Sequence, residues 1–172
     1  MDFHVGDPVV HWTYGFGQIV GLEERALTSQ KMLYYLVQIQ GLTVCVPADD
    51  KAVTRLRVPT PERDFKKLFV VLSGQGESLP EDRLQRKAQL RKKLDDGNAE
   101  AICEVIRDLS SYEQKKSLNE DDKHILKQAW NSLLGEWGFS MSVSQAQAEV
   151  ELRRLLTHPS KIEAGLTEIS PA

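Results

Sequence analysis

Short runs of branched and aromatic residues, separated by glycine and proline, dominate the N-terminal third of the chain. Such runs are typical of β-strands, because these side chains pack well on a pleated surface. They predict strands at residues 9–11, 18–23, 33–40, 42–46 and 53–58. Several short strands at this spacing predict a small, strongly bent sheet or barrel.

From Thr60 onward the apolar residues recur about every 3.6 positions, so the prediction changes to helices. Thr60 is a suitable N-cap, and Phe65, Leu68, Phe69 and Leu72 form the first apolar stripe. Further helices are predicted at residues 82–96, 99–109, 119–137 and 143–157. The predicted fold class is therefore α+β with two domains, in which a small β-barrel is followed by a compact all-α domain.

Small and turn-forming residues fill the segment Ser-Gly-Gln-Gly-Glu-Ser-Leu-Pro at residues 73–80, which is the composition of a linker. We therefore predict a domain boundary in this segment. The first domain would be residues 1–72, with a trailing helix. The helical domain would be residues 81–158, followed by a flexible tail at 159–172.

One predicted helix carries a strongly basic segment. Between Arg83 and Lys93 there are six basic residues and no acidic one, although the whole chain has a net charge of -3. The basic residues are Arg83, Arg86, Lys87, Arg91, Lys92 and Lys93. The apolar residues at helical spacing, which predict the packed side of the helix, are Leu84, Ala88, Leu90 and Leu94.

A basic helix surface on an acidic chain suggests an anionic partner, and nucleic acid is the first candidate. The alternative is a solvated face whose lysines and arginines only maintain solubility. The isoelectric point near 5.8 argues against a protein that coats nucleic acid unaided. Any DNA contact would therefore be local and helped by another interaction.

No catalytic or metal-binding motif stands out. The four histidines occur singly, without the i, i+4 spacing of a helical zinc site, and no glycine-rich phosphate loop is present. The two cysteines, Cys45 and Cys103, are far apart in apolar surroundings, which argues against a disulfide framework or a zinc site. The sequence therefore predicts no enzyme activity, no metal and no cofactor. An enzyme whose site is assembled from distant residues stays open as an alternative.

No apolar run approaches the roughly 20 residues that span a bilayer. The N-terminus also lacks the basic start and apolar stretch of a secretory signal. We therefore predict a cytoplasmic protein with no membrane partner.

Several short segments form a distinctive pattern when their order and spacing are considered together. Residues 3–10 read Phe-His-Val-Gly-Asp-Pro-Val-Val, and Gly-Phe-Gly follows at 15–17. A hairpin ends with Leu-Thr-Val-Cys-Val-Pro at 42–47. In the second half, Gly97 precedes Glu-Val-Ile-Arg-Asp-Leu at 104–109.

The stretch Leu-Asn-Glu-Asp-Asp-Lys-His-Ile-Leu at 118–126 completes the pattern, with Gly-Glu following at 135–136. In their order and spacing these segments resemble the CarD/CdnL family of bacterial transcription regulators. The resemblance covers nearly all of residues 3–157.

The resemblance implies a Tudor-like barrel that binds the β subunit of bacterial RNA polymerase. It also implies a helical domain that contacts promoter DNA near the upstream edge of the melted region, mainly at phosphates and in the minor groove. Such proteins act without catalysis and without a small-molecule substrate. They shift the equilibrium between closed and open promoter DNA, which requires differential affinity for the two states.

For polymerase binding, the resemblance points to Arg25, because some family members have a polymerase-contacting arginine at this position. A second arginine of those members corresponds to Cys45. The exposed edge of the hairpin is the second part of the predicted site, since such an edge suits strand-to-strand docking. The residues of this edge are Val44, Cys45, Val46 and Pro47.

For DNA binding, the resemblance points to Arg86 and Lys123, which match basic residues implicated in DNA contact, and the basic helix adds Lys87. The family usually has a minor-groove tryptophan at the start of this helix. Counting back from Gly97 places Arg83 at that position. The alternative is an adaptor that binds polymerase, or another protein, through its barrel without productive DNA contact.

Overall fold

A computed structural model describes residues 2–27, 30–49 and 51–157. Five antiparallel strands form one sheet in the order β4-β3-β2-β1-β5. The strands are β1 (Pro8–His11), β2 (Gly15–Leu27), β3 (Gln30–Ile39), β4 (Leu42–Pro47) and β5 (Leu56–Arg57). Among the described residues no pairing joins β4 to β5, so the sheet is open and the predicted closed barrel is wrong.

The sheet stays open because the last predicted strand is mostly not a strand. Residues predicted as strand 53–58 instead form a short helix, α1 (Ala52–Arg55), and the two-residue strand β5. Strand β5 is long enough only to pair with β1, where Leu56 lies opposite His11. The core of the sheet contains Val9, Ile19, Val37, Val46 and Leu56, among other buried residues.

Five longer helices follow the sheet. They are α2 (Glu62–Leu72), α3 (Arg83–Asp95), α4 (Ala99–Glu113), α5 (Glu120–Ser140) and α6 (Gln145–Thr157). Polar side chains cap three of them: the side chains of Asp82, Asn98 and Asn119 each accept a hydrogen bond from a backbone N–H of the first turn. None of the described helices is long and apolar enough to span a membrane.

The packing divides the chain at a different place from the predicted boundary. Phe65, Leu68 and Leu72 of α2 are buried in the helical core, so α2 is the first helix of that unit and not a trailing helix of the sheet. The predicted linker at 73–80 also packs on the helices. Its Leu79 is buried in the same core, and a Cβ atom on Gly76 would lie 2.4 Å from Ser111 Cβ of α4. The predicted tail at 159–172 lies outside the described residues.

The sheet and the helices meet at a closely packed junction. Gly15, with a φ of 87°, approaches α5 so closely that a Cβ atom there would lie 2.9 Å from Ser132 Cα. The rings of Phe16 and Phe139 stack with centroids 4.7 Å apart. The side chain of Gln128 donates a hydrogen bond to the Thr13 carbonyl at 3.0 Å. The two units therefore contact each other directly through the β1–β2 turn, β2 and α5.

Candidate nucleic-acid and protein interfaces

Helix α3 is rotated relative to the face that its apolar residues predict. Its buried side chains are those of Arg86 and Leu90, whereas Leu84 is 73% exposed. Lys93 also turns inward and forms an ion pair with Glu104 at 3.0 Å. The inner face of this helix is therefore partly charged, and the helix presents an apolar side chain to solvent near its beginning.

The Arg86 guanidinium is bound by several partners inside the helical unit. Its Nη2 donates to Asp122 Oδ2 at 2.8 Å, and its Nη1 donates to the carbonyls of Pro80 and Glu81 at 2.8 and 3.0 Å. The guanidinium also lies over the Tyr112 ring, 4.8 Å from its centroid. The hydrogen bonds that Arg86 donates to Asp122 are the main cause that raises the Arg86 pKa.

Only 4% of the Arg86 residue is exposed, and the Asp122 side chain is fully buried. A buried arginine with all these partners cannot reach a phosphate without breaking the core. We therefore revise the assignment of Arg86 from a DNA-contacting residue to a structural one.

Arg83 and Lys87 lie on the exposed side of α3 and share one acidic partner. Arg83 Nη2 donates to Asp121 Oδ2 at 2.9 Å, and Lys87 Nζ donates to Asp121 Oδ1 at 3.0 Å. Hydrogen bonds from Lys87 and Arg83 hold the Asp121 pKa below its usual value. Both predicted DNA-contacting residues are accessible, but each is already paired.

Arg91 and Lys92 continue the exposed basic side of α3. Neither has an ion-pair partner among the residues that the structure describes. Leu84, beside Arg83, has the largest exposure of the described large apolar residues. Sequence reasoning counted these three side chains but did not place them on one accessible face.

Lys123 is exposed near the beginning of α5, so it lies on a different helix from the other predicted DNA-contacting residues, which are in α3. Its Nζ donates to Glu120 Oε1 at 2.8 Å, and this hydrogen bond raises the Lys123 pKa. Lys123 follows Asp121 and Asp122, which contact Arg83 and Arg86. The structure therefore brings the predicted DNA-contacting residues together around the N-terminus of α5.

Arg25 is exposed near the outer end of the β2–β3 hairpin. It lies opposite Met32 in the sheet register, and its Nη2 donates to Glu23 Oε2 at 3.0 Å. The hydrogen bond to Glu23 is the main cause that raises the Arg25 pKa. Met32 and Leu33 are both exposed on the same hairpin, so Arg25 stands on a mixed apolar and charged surface.

Strand β4 forms one edge of the sheet, with β3 on its inner side. Val44, Cys45 and Pro47 are half-buried, but the side chain of Val46 is in the sheet core. Val46 can therefore contribute only backbone groups to a partner, which is compatible with the predicted strand-to-strand docking. Within the described part of the chain, the outer edge of β4 pairs with no other strand.

A cleft of about 720 Å³ lies between α4, α5 and α6. Its lining includes Leu126, Trp130, Leu134 and Lys123. The Arg153 guanidinium covers the Trp130 ring at 5.3 Å from the centroid. Within residues 2–27, 30–49 and 51–157, no three His, Cys, Asp or Glu side chains converge to hold a metal ion.

Sequence reasoning missed the function of two acids in the first turn of α5. The helix dipole favours acids at this position, so the presence of Asp121 and Asp122 does not by itself indicate a further partner. The structure shows that they also pair with three basic residues of α3. The available signal was the presence of six cations in a helix that has no acid of its own between Arg83 and Lys93.

Comparison with known proteins gives two adjacent family matches. Residues 3–59 match the model of the CarD-like/TRCF RID domain, and residues 67–153 match that of the CarD C-terminal domain. The chain is also similar to a Bacillus subtilis (strain 168) protein named "Putative transcription factor YdeB". The two are 28% identical over 151 residues, which cover 84% of this chain and 96% of that protein.

Proposed function

Because this chain belongs to the CarD-like family of transcription regulators, we propose that it binds the RNA polymerase β subunit and contacts promoter DNA near the upstream edge of the bubble. In this proposal the protein is not an enzyme. It alters the stability of the open complex by binding one state of the promoter better than the other.

The observation that carries the proposal is the exposed face of α3. Arg83, Lys87, Arg91 and Lys92 supply four accessible cations along a single helix, and the exposed Leu84 is next to Arg83. Cations on a regular helix suit phosphate contacts along a duplex, and an exposed leucine suits an apolar contact in the minor groove. This arrangement supports DNA contact more strongly than the charge count alone.

The polymerase contact is assigned to the end of the sheet that carries Arg25. The outer edge of β4 offers backbone groups for strand addition, and Arg25 adds a charge-assisted contact. Tethering through this surface raises the effective concentration of α3 at the promoter. A weak DNA surface is then sufficient, which is consistent with the net charge of -3.

The DNA contact is tested in the full chain by reversing two cations of α3 that have no ion pair with the described residues, as Arg91→Glu/Lys92→Glu. The lifetime of open promoter complexes is measured between about 50 and 200 mM salt, where phosphate contacts weaken steeply. The matched control is Lys66→Glu/Lys67→Glu on α2, which makes the same charge change on an exposed helix. We expect the α3 variant to lose its effect at low salt and the control to keep it.

The polymerase contact is tested separately by binding of the full chain to purified polymerase. Arg25→Glu is expected to weaken binding by about thirtyfold, as for a charged interface residue. Lys31→Glu, a charge reversal on the same hairpin, is the control. Equal binding of both variants and of the wild type would contradict this part of the proposal.

A second candidate is a polymerase-binding adaptor without productive DNA contact. The pairing of Arg83, Lys87 and Lys123 with acids of α5 favours it, because paired cations attract phosphates less. This candidate predicts that Arg91→Glu/Lys92→Glu leaves the open-complex lifetime unchanged while Arg25→Glu still abolishes the effect.

A further inference from the structure

Asp121 lies where a phosphate would be expected to bind. Arg83 approaches its Oδ2 with two nitrogens, Nη2 at 2.9 Å and Nε at 3.3 Å. Lys87, one turn further along α3, approaches Oδ1 at 3.0 Å. A two-pronged guanidinium with an ammonium beside it is a common way to hold a tetrahedral oxyanion.

The fold does not need Asp121 for the start of α5. Asn119 caps the helix by accepting from the Asp122 backbone N–H, and the Asp122 side chain completes the capping box. Among the described residues, the hydrogen bonds of the Asp121 side chain are only those from Arg83 and Lys87. The carboxylate is also partly exposed, at 26% of its side chain. Its removal should therefore leave the helical unit folded.

We propose that Asp121 is an internal competitor of DNA phosphate, which occupies Arg83 and Lys87 in the free protein and weakens its DNA binding. This inference rests on the proposed DNA contact and adds a residue that opposes it. DNA contact through these two cations requires them to exchange the carboxylate for a phosphate, so the free wild-type protein contacts DNA mainly through the other cations of α3. The exchange also brings that phosphate close to a negative charge.

The consequence is that DNA contact depends on attachment to polymerase. Attachment supplies the effective concentration that overcomes the competing carboxylate. The free protein is meanwhile kept from the large excess of non-specific genomic sites. An acid at this position therefore selects where the basic helix acts, whereas the cations determine how strongly it binds.

The test compares Asp121→Asn with Glu100→Gln in the full chain, by fluorescence anisotropy with a labelled promoter duplex. Glu100 is exposed in the first turn of α4 and has no ion pair with the described residues, so its variant makes the same change in net charge. We expect Asp121→Asn to bind DNA about three- to tenfold more tightly at about 50 mM salt. We expect less than about a twofold change for Glu100→Gln.

The salt dependence distinguishes release of the cations from a general charge effect. Each cation that newly neutralises a phosphate adds about 0.9 to the slope of log K against log salt. Release of Arg83 and Lys87 should thus steepen the slope by up to about 1.8. In an Arg83→Gln/Lys87→Gln background, Asp121→Asn should give neither the gain in affinity nor the steeper slope.

Two results would overturn the inference. The first leaves the proposed DNA contact standing, and the second contradicts it as well. If Asp121→Asn matches Glu100→Gln while Arg91→Glu/Lys92→Glu weakens binding, only the competitor role of Asp121 fails. If no variant of α3 or Asp121 changes DNA binding or open-complex lifetime, the proposed DNA contact fails as well. Thermal melts of each variant show whether the fold is retained.

Discussion

Arg57 and Glu136 form a two-pronged ion pair between the sheet and the helices. Arg57 Nη1 and Nη2 donate to Glu136 Oε1 and Oε2, both at 2.7 Å, and the Glu136 side chain is fully buried. Arg57 Nε also donates to the Gly97 carbonyl, and the Thr60 backbone N–H donates to Glu136 Oε1. One carboxylate therefore joins β5, the chain leading to α2, and α5.

Loss of this carboxylate should strongly destabilise the protein. Glu136→Ala leaves a partly buried guanidinium without its counter-charge, so we expect the free energy of unfolding to fall by about 3–5 kcal/mol. Arg57→Lys keeps the charge but loses the two-pronged geometry, and it should cost less. Urea unfolding followed by circular dichroism measures both. Glu62→Ala breaks only an exposed pair with Lys66 and should have much less effect on the free energy of unfolding than Glu136→Ala.

Substitution of Arg86 should destabilise the fold, whereas substitution of Arg83 should not. We expect Arg86→Ala to lower the free energy of unfolding by about 3–5 kcal/mol, because Asp122 would be left as a buried unpaired charge. Arg83→Ala, on the exposed side of the same helix, should cost less than about 1 kcal/mol. Chemical denaturation of both variants checks the difference. Equal stabilities would contradict the buried position of Arg86.

His11 should make stability depend on pH. Burial, with the charge of Arg55 as a second cause, lowers its pKa to about 4 from the usual 6.5. Between these values the unfolded chain binds a proton that the folded chain does not, so the free energy of unfolding falls as the pH falls from 6.5 to 4. Each pKa unit corresponds to about 1.4 kcal/mol, which gives a loss of up to about 3 kcal/mol.

His11→Asn is the matched variant for this pH effect. The amide oxygen can accept the backbone hydrogen bonds from Thr13 and Tyr14 that His11 Nδ1 now accepts, but it does not titrate. Urea unfolding at pH 7, 5.5 and 4.5 should therefore show a smaller decline in the variant. The same decline in both proteins would assign the effect to other groups.

The two cysteines should differ in reactivity, and only one should respond to polymerase. Cys103 is buried in the helical core, and burial raises the pKa of its thiol, so it should be inert in the folded protein. Cys45 is half-buried on edge strand β4 and should react with a thiol reagent. We expect one labelled thiol in the native state and two in denaturant. Polymerase should slow the labelling of Cys45, and unchanged labelling would argue against docking at β4.

Leu84 should affect promoter binding without affecting stability. Its side chain is largely in solvent, so Leu84→Ala should change the free energy of unfolding by less than about 0.5 kcal/mol. If Leu84 makes an apolar contact in the minor groove, the variant should shorten the open-complex lifetime by a factor that does not depend on salt. Val70→Ala on α2 is a matched control, because Val70 is similarly exposed.

The sequence predicted most helices and strands, because their signals are local. A helix was predicted from residue 119, and the structure confirms this start, where Asn119 forms a capping box with Asp122. The glycine turn at Gly41 also separates two paired strands, as its position between Ile39 and Leu42 indicated. Caps and turns depend on a few neighbouring residues, so the sequence is sufficient for them.

The errors concern long-range packing. Of the predicted apolar stripe of α3, Leu90 and Leu94 pack on the core, but Leu84 and Ala88 are exposed. Arg86 and Lys93 turn inward instead, because the acids that they contact are on other helices. Residues 73–80 have the composition of a linker, but their glycine backbone allows close packing against α4. Neither effect can be read from a single segment.

The close contact between sheet and helices fixes the distance between the outer surfaces of the two units. The edge of β4 and the outer side of α3 belong to units that are joined by the Arg57–Glu136 pair and by the approach of Gly15 to α5. A rigid connection of this kind sets the spacing between two attached partners. If one surface holds polymerase and the other DNA, the protein selects a fixed position along the promoter by distance, without reading its bases.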